Sequence, residues 1–369
     1  MFAKRPLPAG GAPASNPGFD RVRGALAAAP RLREWFGKPT VGVAGAGILL
    51  LAAVVALVAV TGDPWAGAPR VKIPLGHKAS LDWANGAGGA GQGAGPSAGA
   101  APGGAAAPGA VQPLPQAPIA GLSEPGPSGL LPVIAADGRT PFQAYARPFK
   151  DSGAPKVALV IGGLGLNAKS TRQAIEELPP EVTLSFVPYT EGLQGWIDLA
   201  RANGHEVLLE TPMEPLDYPA NDPGPFTLMA QDPAPETLKR LEWLLSRATG
   251  YLGVTNYLGG RFMASDPAMN IFSAALRQRG LGFIDDGSAG VRGGGMPRAS
   301  ADRIVDQSLD GAAIDQELAT LESTAQQHGR ALGSGFAYPV TLQEVKRWAA
   351  GLNSRGLVLA PASAMAAKR

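Results

Sequence analysis

The chain has no cysteine, which excludes disulfides and thiolate metal sites and leaves its redox compartment open. Histidine is almost as scarce, with 3 in 369 residues, and only His205 and His328 lie in the C-terminal half. Zinc-type catalytic centres usually draw on imidazole, so this shortage narrows the metal chemistry open to the chain. Charge is sparse and balanced. A net charge of +2 by itself neither favours nor excludes a polyanionic partner, and no nucleic-acid partner is expected.

Glycine and proline are abundant instead, at 50 and 35 residues, and the excess is local. Asn85 to Gly129 is mostly Gly, Ala, Pro and Ser, which cannot offset the entropy of ordering, so a disordered linker is expected over 62–150. Before it, Val41 to Val60 reads VGVAGAGILLLAAVVALVAV without a charge, about long enough for a bilayer core of roughly 30 Å. A single transmembrane helix is expected over 41–61. Lys4, Arg5, Arg21, Arg23, Arg31, Arg33 and Lys38 precede it, against Asp20 and Glu34. The positive-inside rule then keeps residues 1–40 in the cytoplasm, anchors the chain in the inner membrane and sends residues 151–369 to the periplasm.

From about Pro155 the pattern becomes β/α. VALVI (157–161), VTLSFV (182–187), EVLLE (206–210), GVTN (253–256), LGFID (281–285) and residues 331–335 read as strands. Between them run helices over 168–178, 193–203, 235–248 with the stripe Leu238, Leu241, Leu244 and Leu245, 266–279 capped by Asp266, and 311–329. A further helix is expected to open with a Thr341–Glu344 capping box. Alternation of this kind means a parallel α/β fold, an open sheet or a barrel. Glu210, Asn256, Asp285 and Asp286 fall at strand C-termini, the rim where such folds build sites, and Glu214 and Arg261 lie near them. Tyr189, Trp196, Tyr218, Phe226, Tyr257 and Tyr338 are candidate stacking surfaces for sugar rings.

KVALVIGGLGLNAKS (156–170) contains G-x-G-x-x-A after a strand, the outline of a dinucleotide loop. The acidic residue that should close the second strand is missing: that strand ends Phe186-Val187-Pro188-Tyr189, and Glu191 lies beyond the turn. No nucleotide cofactor is expected.

GHEVLLETPMEP (204–215), NYLGGRF (256–262), GLGFIDDGSA (280–289) and ALGSGFAYPVTLQEV (331–345) occur in this order. Together they resemble the divergent polysaccharide deacetylase family. The resemblance implies an irregular (β/α) barrel handling carbohydrate at its C-terminal rim, with a cell-wall or surface polysaccharide as partner. In metal-dependent relatives it implies an Asp pair and two histidines around a divalent ion that activates water against an acetyl group. This chain departs from that pattern. Ile161-Gly162-Gly163-Leu164-Gly165 stands where the family has Ile-Asp-Asp-x-Gly, so Gly162 and Gly163 are emptied ligand positions. Glu210 and Tyr257 replace the expected histidines. His205 is placed at the far end of its strand from the rim and His328 at a helix end. No metal and no other cofactor is therefore expected. Two readings stay open: a glycan-binding or scaffolding domain, contacting sugar through Glu214, Asn256, Tyr257, Arg261 and Asp286, or a hydrolase with a rearranged carboxylate site on Glu210 and Asp285.

Overall fold

The computed structural model describes residues 112–288 and 295–368, so the run at 41–61 and the segments flanking it up to residue 111 lie outside the described residues. Among the described residues no helix is long and apolar enough to cross a membrane.

The centre is a curved parallel sheet. Its strands are β3 (Lys156–Leu164), β4 (Thr183–Phe186), β5 (Val207–Met213), β6 (Gly253–Leu258), β7 (Gly282–Asp285), β8 (Pro297–Ser300), β9 (Arg303–Ile304) and β10 (Arg330–Phe336), in the order β8-β7-β6-β5-β4-β3-β10-β9. β8 and β9 are consecutive in the chain yet pair with opposite edges, β7 and β10. One short stretch, 297–304, thus links the two edges, and the sheet takes the form of an irregular half-barrel. Further main-chain bonds fasten the stretch, from Ala301 N–H to Asp285 O at 2.8 Å and from Asp302 N–H to Leu332 O at 2.7 Å.

Period-2 alternation divides each strand between two cores. Val157, Leu159, Ile161, Val207, Leu209, Val254 and Phe283 pack outward under the helices. These are α2 (Ala168–Glu177), α3 (Leu193–Ala202), α4 (Ala234–Leu245), α5 (Asp266–Gln278), α6 (Gly311–His328) and α7 (Pro339–Ala350). Ala158, Val160, Leu208, Ile284 and Leu332 face inward, against Leu122, Ala135 and Tyr145 from upstream and Ala360, Ala362 and Met365 from the C-terminus.

That inner packing corrects the boundary expected at residue 151. Residues 112–150 carry a hairpin of β1 (Ser123–Gly126) and β2 (Gly129–Pro132) and the short helix α1 (Pro141–Tyr145). Leu122 and Tyr145 are buried from this segment. Arg201 clamps it, donating to Pro115 O at 3.1 and 2.9 Å, to Tyr145 O at 3.1 Å and to Gly250 O at 3.0 Å. A few apolar anchors scattered among glycines and prolines close the bottom of the sheet, where composition alone reads linker.

Two helix starts differ from expectation. α5 is capped by Ser265, whose hydroxyl accepts from Ala268 N–H, so Asp266 is the first helical residue. α7 begins at Pro339 without a side-chain cap, and Thr341 is buried and bonded elsewhere. In α4 Leu241, Leu244 and Leu245 are buried, while Leu238 lies at the edge of the stripe, 39% exposed.

Candidate functional site

β3 ends irregularly. Its pairing with β4 shifts register between Ile161 and Leu164, across the two glycines, and Gly163 sits at φ +72°. A bulge of this kind re-aims the main chain and is common beside sites. Here it turns the Gly163 N–H onto Glu210 Oε1 at 2.6 Å. The Ser185 hydroxyl donates to the same oxygen at 3.1 Å. Gly162 leaves the room for this arrangement, since a Cβ there would stand 2.9 Å from both Glu210 Oε1 and Ser185 Oγ. Glu210 is 3% exposed, and burial pushes its carboxyl up to about 7, against the two hydrogen bonds that favour the charged form.

Above these residues opens a cleft of about 650 Å³, within the ordinary size of ligand sites. Gly163, Tyr189, Glu210, Asp222, Tyr257, Phe336 and Tyr338 are among the residues that line it. Tyr257 meets Phe336 edge to face, ring centroids 6.2 Å apart. Burial raises the Tyr257 hydroxyl pKa, with smaller contributions from nearby Glu210 and Tyr338. Of the other aromatic candidates, Phe226 is stacked on Trp243 at 3.6 Å, and Trp196 packs against the outer core beneath Arg172. Tyr218 is half-buried and outside the cleft lining.

The remaining predicted site residues divide. Asp285 lies on the face of β7 that carries Phe283, opposite to the inward face, and Arg298 explains its burial. Arg298 donates to Asp285 Oδ2 from Nε and Nη2, both at 2.9 Å, and lies over the Phe283 ring. Ser300 Oγ at 2.9 Å and Gly287 N–H at 3.0 Å complete its partners. Burial still raises its pKa, opposed first by Arg298. Asp285 does not line the cleft, so the paired-carboxylate expectation with Glu210 is not met. Asn256 is a brace: it donates to Leu258 O at 2.7 Å, supporting that residue's φ of +58°, and accepts from Asp286 N–H at 3.0 Å. Asp286 caps its own turn, accepting from Ser288 N–H. Glu214 accepts from Ala230 N–H at 2.7 Å and pairs with Arg261 at 3.3 Å, while Arg261 donates to Leu216 O. These contacts hold the loop after β5, and none of Glu214, Asn256, Arg261 and Asp286 lines the cleft.

Sequence reasoning missed Ser185, Asp222, Phe336 and Asp306. Thr183 and Ser185 alternate with buried Leu184 and Phe186, a period-2 signal that marks the inward face. Asp306 gives no local signal. It is buried, accepts from Phe336 N–H at 2.6 Å and Thr341 Oγ1 at 3.0 Å, and so fixes one wall of the cleft.

The donor set does not fit a catalytic divalent ion, which needs several N or O ligands converging with a position open to water. Among the described residues no group of three or more His, Cys, Asp or Glu gathers. His205 is buried at the far end, its ring nitrogens 2.8 and 3.0 Å from Val182 O and Ile175 O, and His328 closes α6.

The family model described as divergent polysaccharide deacetylase matches residues 159–366. The crystal structure of the uncharacterized protein ATU2773 from Agrobacterium tumefaciens C58 is 40% identical, with a TM-score of 0.62, over 64% of this chain and 99% of that one. An uncharacterized protein of Haemophilus influenzae is 24% identical over 194 residues, which is 51% of this chain and 68% of that protein. The uncharacterized protein YibQ of Escherichia coli is 21% identical over 201 residues, 53% of this chain and 62% of YibQ.

Proposed function

The chain belongs to the divergent polysaccharide deacetylase family, and from that premise we propose that its cleft binds a cell-wall or surface glycan without a metal ion. The observation that carries this reading is the seat of Glu210. Its carboxylate and the Ser185 hydroxyl occupy the space beside Gly162 that a side chain there would enter, and the Gly163 N–H holds the carboxylate in place. Aromatic rings above it supply flat apolar faces and a hydroxyl-bearing rim, the usual make-up of a sugar site. The hydrolase alternative keeps one support, Glu210 with its carboxyl near neutrality, an appropriate state for acid–base work. It lacks the second carboxylate assigned to it, because Asp285 is engaged by Arg298 on the other face.

The test is direct. Purified protein, incubated with acetylated chito-oligosaccharide and with Zn²⁺ or Mg²⁺ added, is expected to release no acetate, and neither ion should raise its unfolding temperature. Acetate release that needs an added ion would overturn the reading.

We also propose that residues 41–61 cross the inner membrane and hold the domain on its periplasmic side. The uncharged run and the basic residues before it support this. A phosphatase fused after Arg369 is then active. A silent phosphatase, with a cytoplasmic reporter active at the same junction, would reverse the orientation.

A further inference from the structure

We infer that the ligand of this cleft carries an ammonium group: a glycan with a free 2-amino sugar, held by Glu210 on the floor and Asp222 at the rim. The inference rests on the glycan-binding reading and specifies its substrate class.

The first observation is the charge of the lining. Its two charged residues, Glu210 and Asp222, are both acids, and the lining residues include no Lys, Arg or His. Arg247 lies close by, but its Nε donates to Pro188 O at 3.2 Å and its guanidinium stacks over Trp243, so it serves the wall. An anionic sugar meets like charge here and a cationic one meets opposite charge.

The second is an unfinished hydrogen-bond set. Both donors to Glu210, from Gly163 and Ser185, reach Oε1, and among the described residues none donates to Oε2. A carboxyl that is 3% exposed, with one oxygen open to a cleft, lacks a partner. A charge-assisted N–H donor is the strongest group that can supply one, and it removes the cost of burying the charge alone.

The third concerns what an acetamide would find. The Gly163 N–H already donates to Glu210, so it is not free to receive an acyl carbonyl. An ammonium needs acceptors, and the floor offers one. Tyr257, Phe336 and Tyr338 add the ring faces that a sugar uses and a bare amine does not. Such an amine arises by hydrolysis of an acetamide, so a deacetylation reaction must supply this ligand.

Calorimetric titration of the full-length chain tests this, with a chitosan tetramer, its fully N-acetylated counterpart, cellotetraose, tetragalacturonate and spermidine as probes. The amine tetramer should bind at least about tenfold tighter than either neutral tetramer, the effect of one charge-assisted bond, and the acidic tetramer should not bind. Glu210→Gln should abolish that preference and Asp222→Asn weaken it. Should Glu210→Gln fail to fold, the wild-type selectivity and Asp222→Asn, which changes an exposed residue, still decide. Neutral tetramers binding as tightly as the amine, or spermidine binding as tightly as the amine tetramer, would overturn the inference and leave glycan binding standing. If no tetramer binds, the glycan-binding reading itself falls.

Discussion

Glu206 and Glu210 leave the same face of one stretch of chain, with Leu208 between them, and both are buried. Their surroundings are opposite. Glu206, at the bottom of the sheet, accepts from Thr183 Oγ1 at 2.7 Å, Ser363 N–H at 2.9 Å, Ser363 Oγ at 2.6 Å and Arg147 N–H at 3.2 Å. These donors come from β4, from the C-terminal segment and from the upstream segment, so this carboxylate fastens three parts of the chain together. Glu210, at the top, has two donors on one oxygen and a cleft beside the other. The same residue type on one face of the same stretch of chain is structural where its acceptors are filled and available where they are not.

The largest expected difference comes from removal. Glu206→Ala leaves the buried Thr183 hydroxyl and the half-buried Ser363 donors without this acceptor and should cost on the order of 4 kcal/mol, lowering the unfolding temperature by roughly 10 °C. Thermal unfolding measures it. A smaller loss than that of Glu210→Ala would break the comparison.

Titration should separate the two sites next. The folded pKa of Glu210, about 7, lies above the ordinary 4.5. The proton is therefore held more tightly in the folded state. The stability this provides is fully present below pH 4.5 and is lost as pH rises to about 7, by on the order of 3 kcal/mol. Gln does not titrate, so Glu210→Gln should gain stability relative to wild type from pH 5 to pH 8. Denaturant unfolding across that range checks it, and a flat difference would show that Glu210 is charged throughout.

The smallest effect uses β4, which serves both glutamates. Ser185→Ala removes one donor from Glu210 and should cost about 1 kcal/mol. Thr183→Val removes a donor from Glu206 and also the acceptor of Ala362 N–H, and should cost about twice as much. Chemical denaturation ranks the pair, and the reverse order would mean that the bottom of the sheet is the looser end.

The alternation of strands and helices is visible in the sequence because hydrophobic periodicity is a local property. The strands at 156–164, 183–186 and 207–213 lie where apolar runs put them. Partnership is not local. Glu210 meets Gly163 only because β3, β4 and β5 are neighbours in the sheet, and nothing near residue 285 points to Arg298. The carboxylates at strand ends look equivalent in sequence, yet one residue of phase sends Asp285 outward and Glu210 inward. The two glycines are legible in the sequence, and the absent side chain at Gly162 is what leaves room for the Glu210 carboxylate. Residues 112–150 escape a reading by composition because Leu122 and Tyr145 do their work singly.

The stretch 297–304 has a consequence for how the molecule behaves in company. A parallel sheet that ended at β7 and β10 would present two rows of unpaired N–H and C=O groups, each a template for a strand from another copy. β8 occupies the first row and β9 the second, and the short C-terminal strand Ala367–Lys368 lies on the outer edge of β8. One segment thus shields both vulnerable borders at once, and a substitution that dislodges it uncovers them together. Damage there would register first as self-association, before any loss of the folded core.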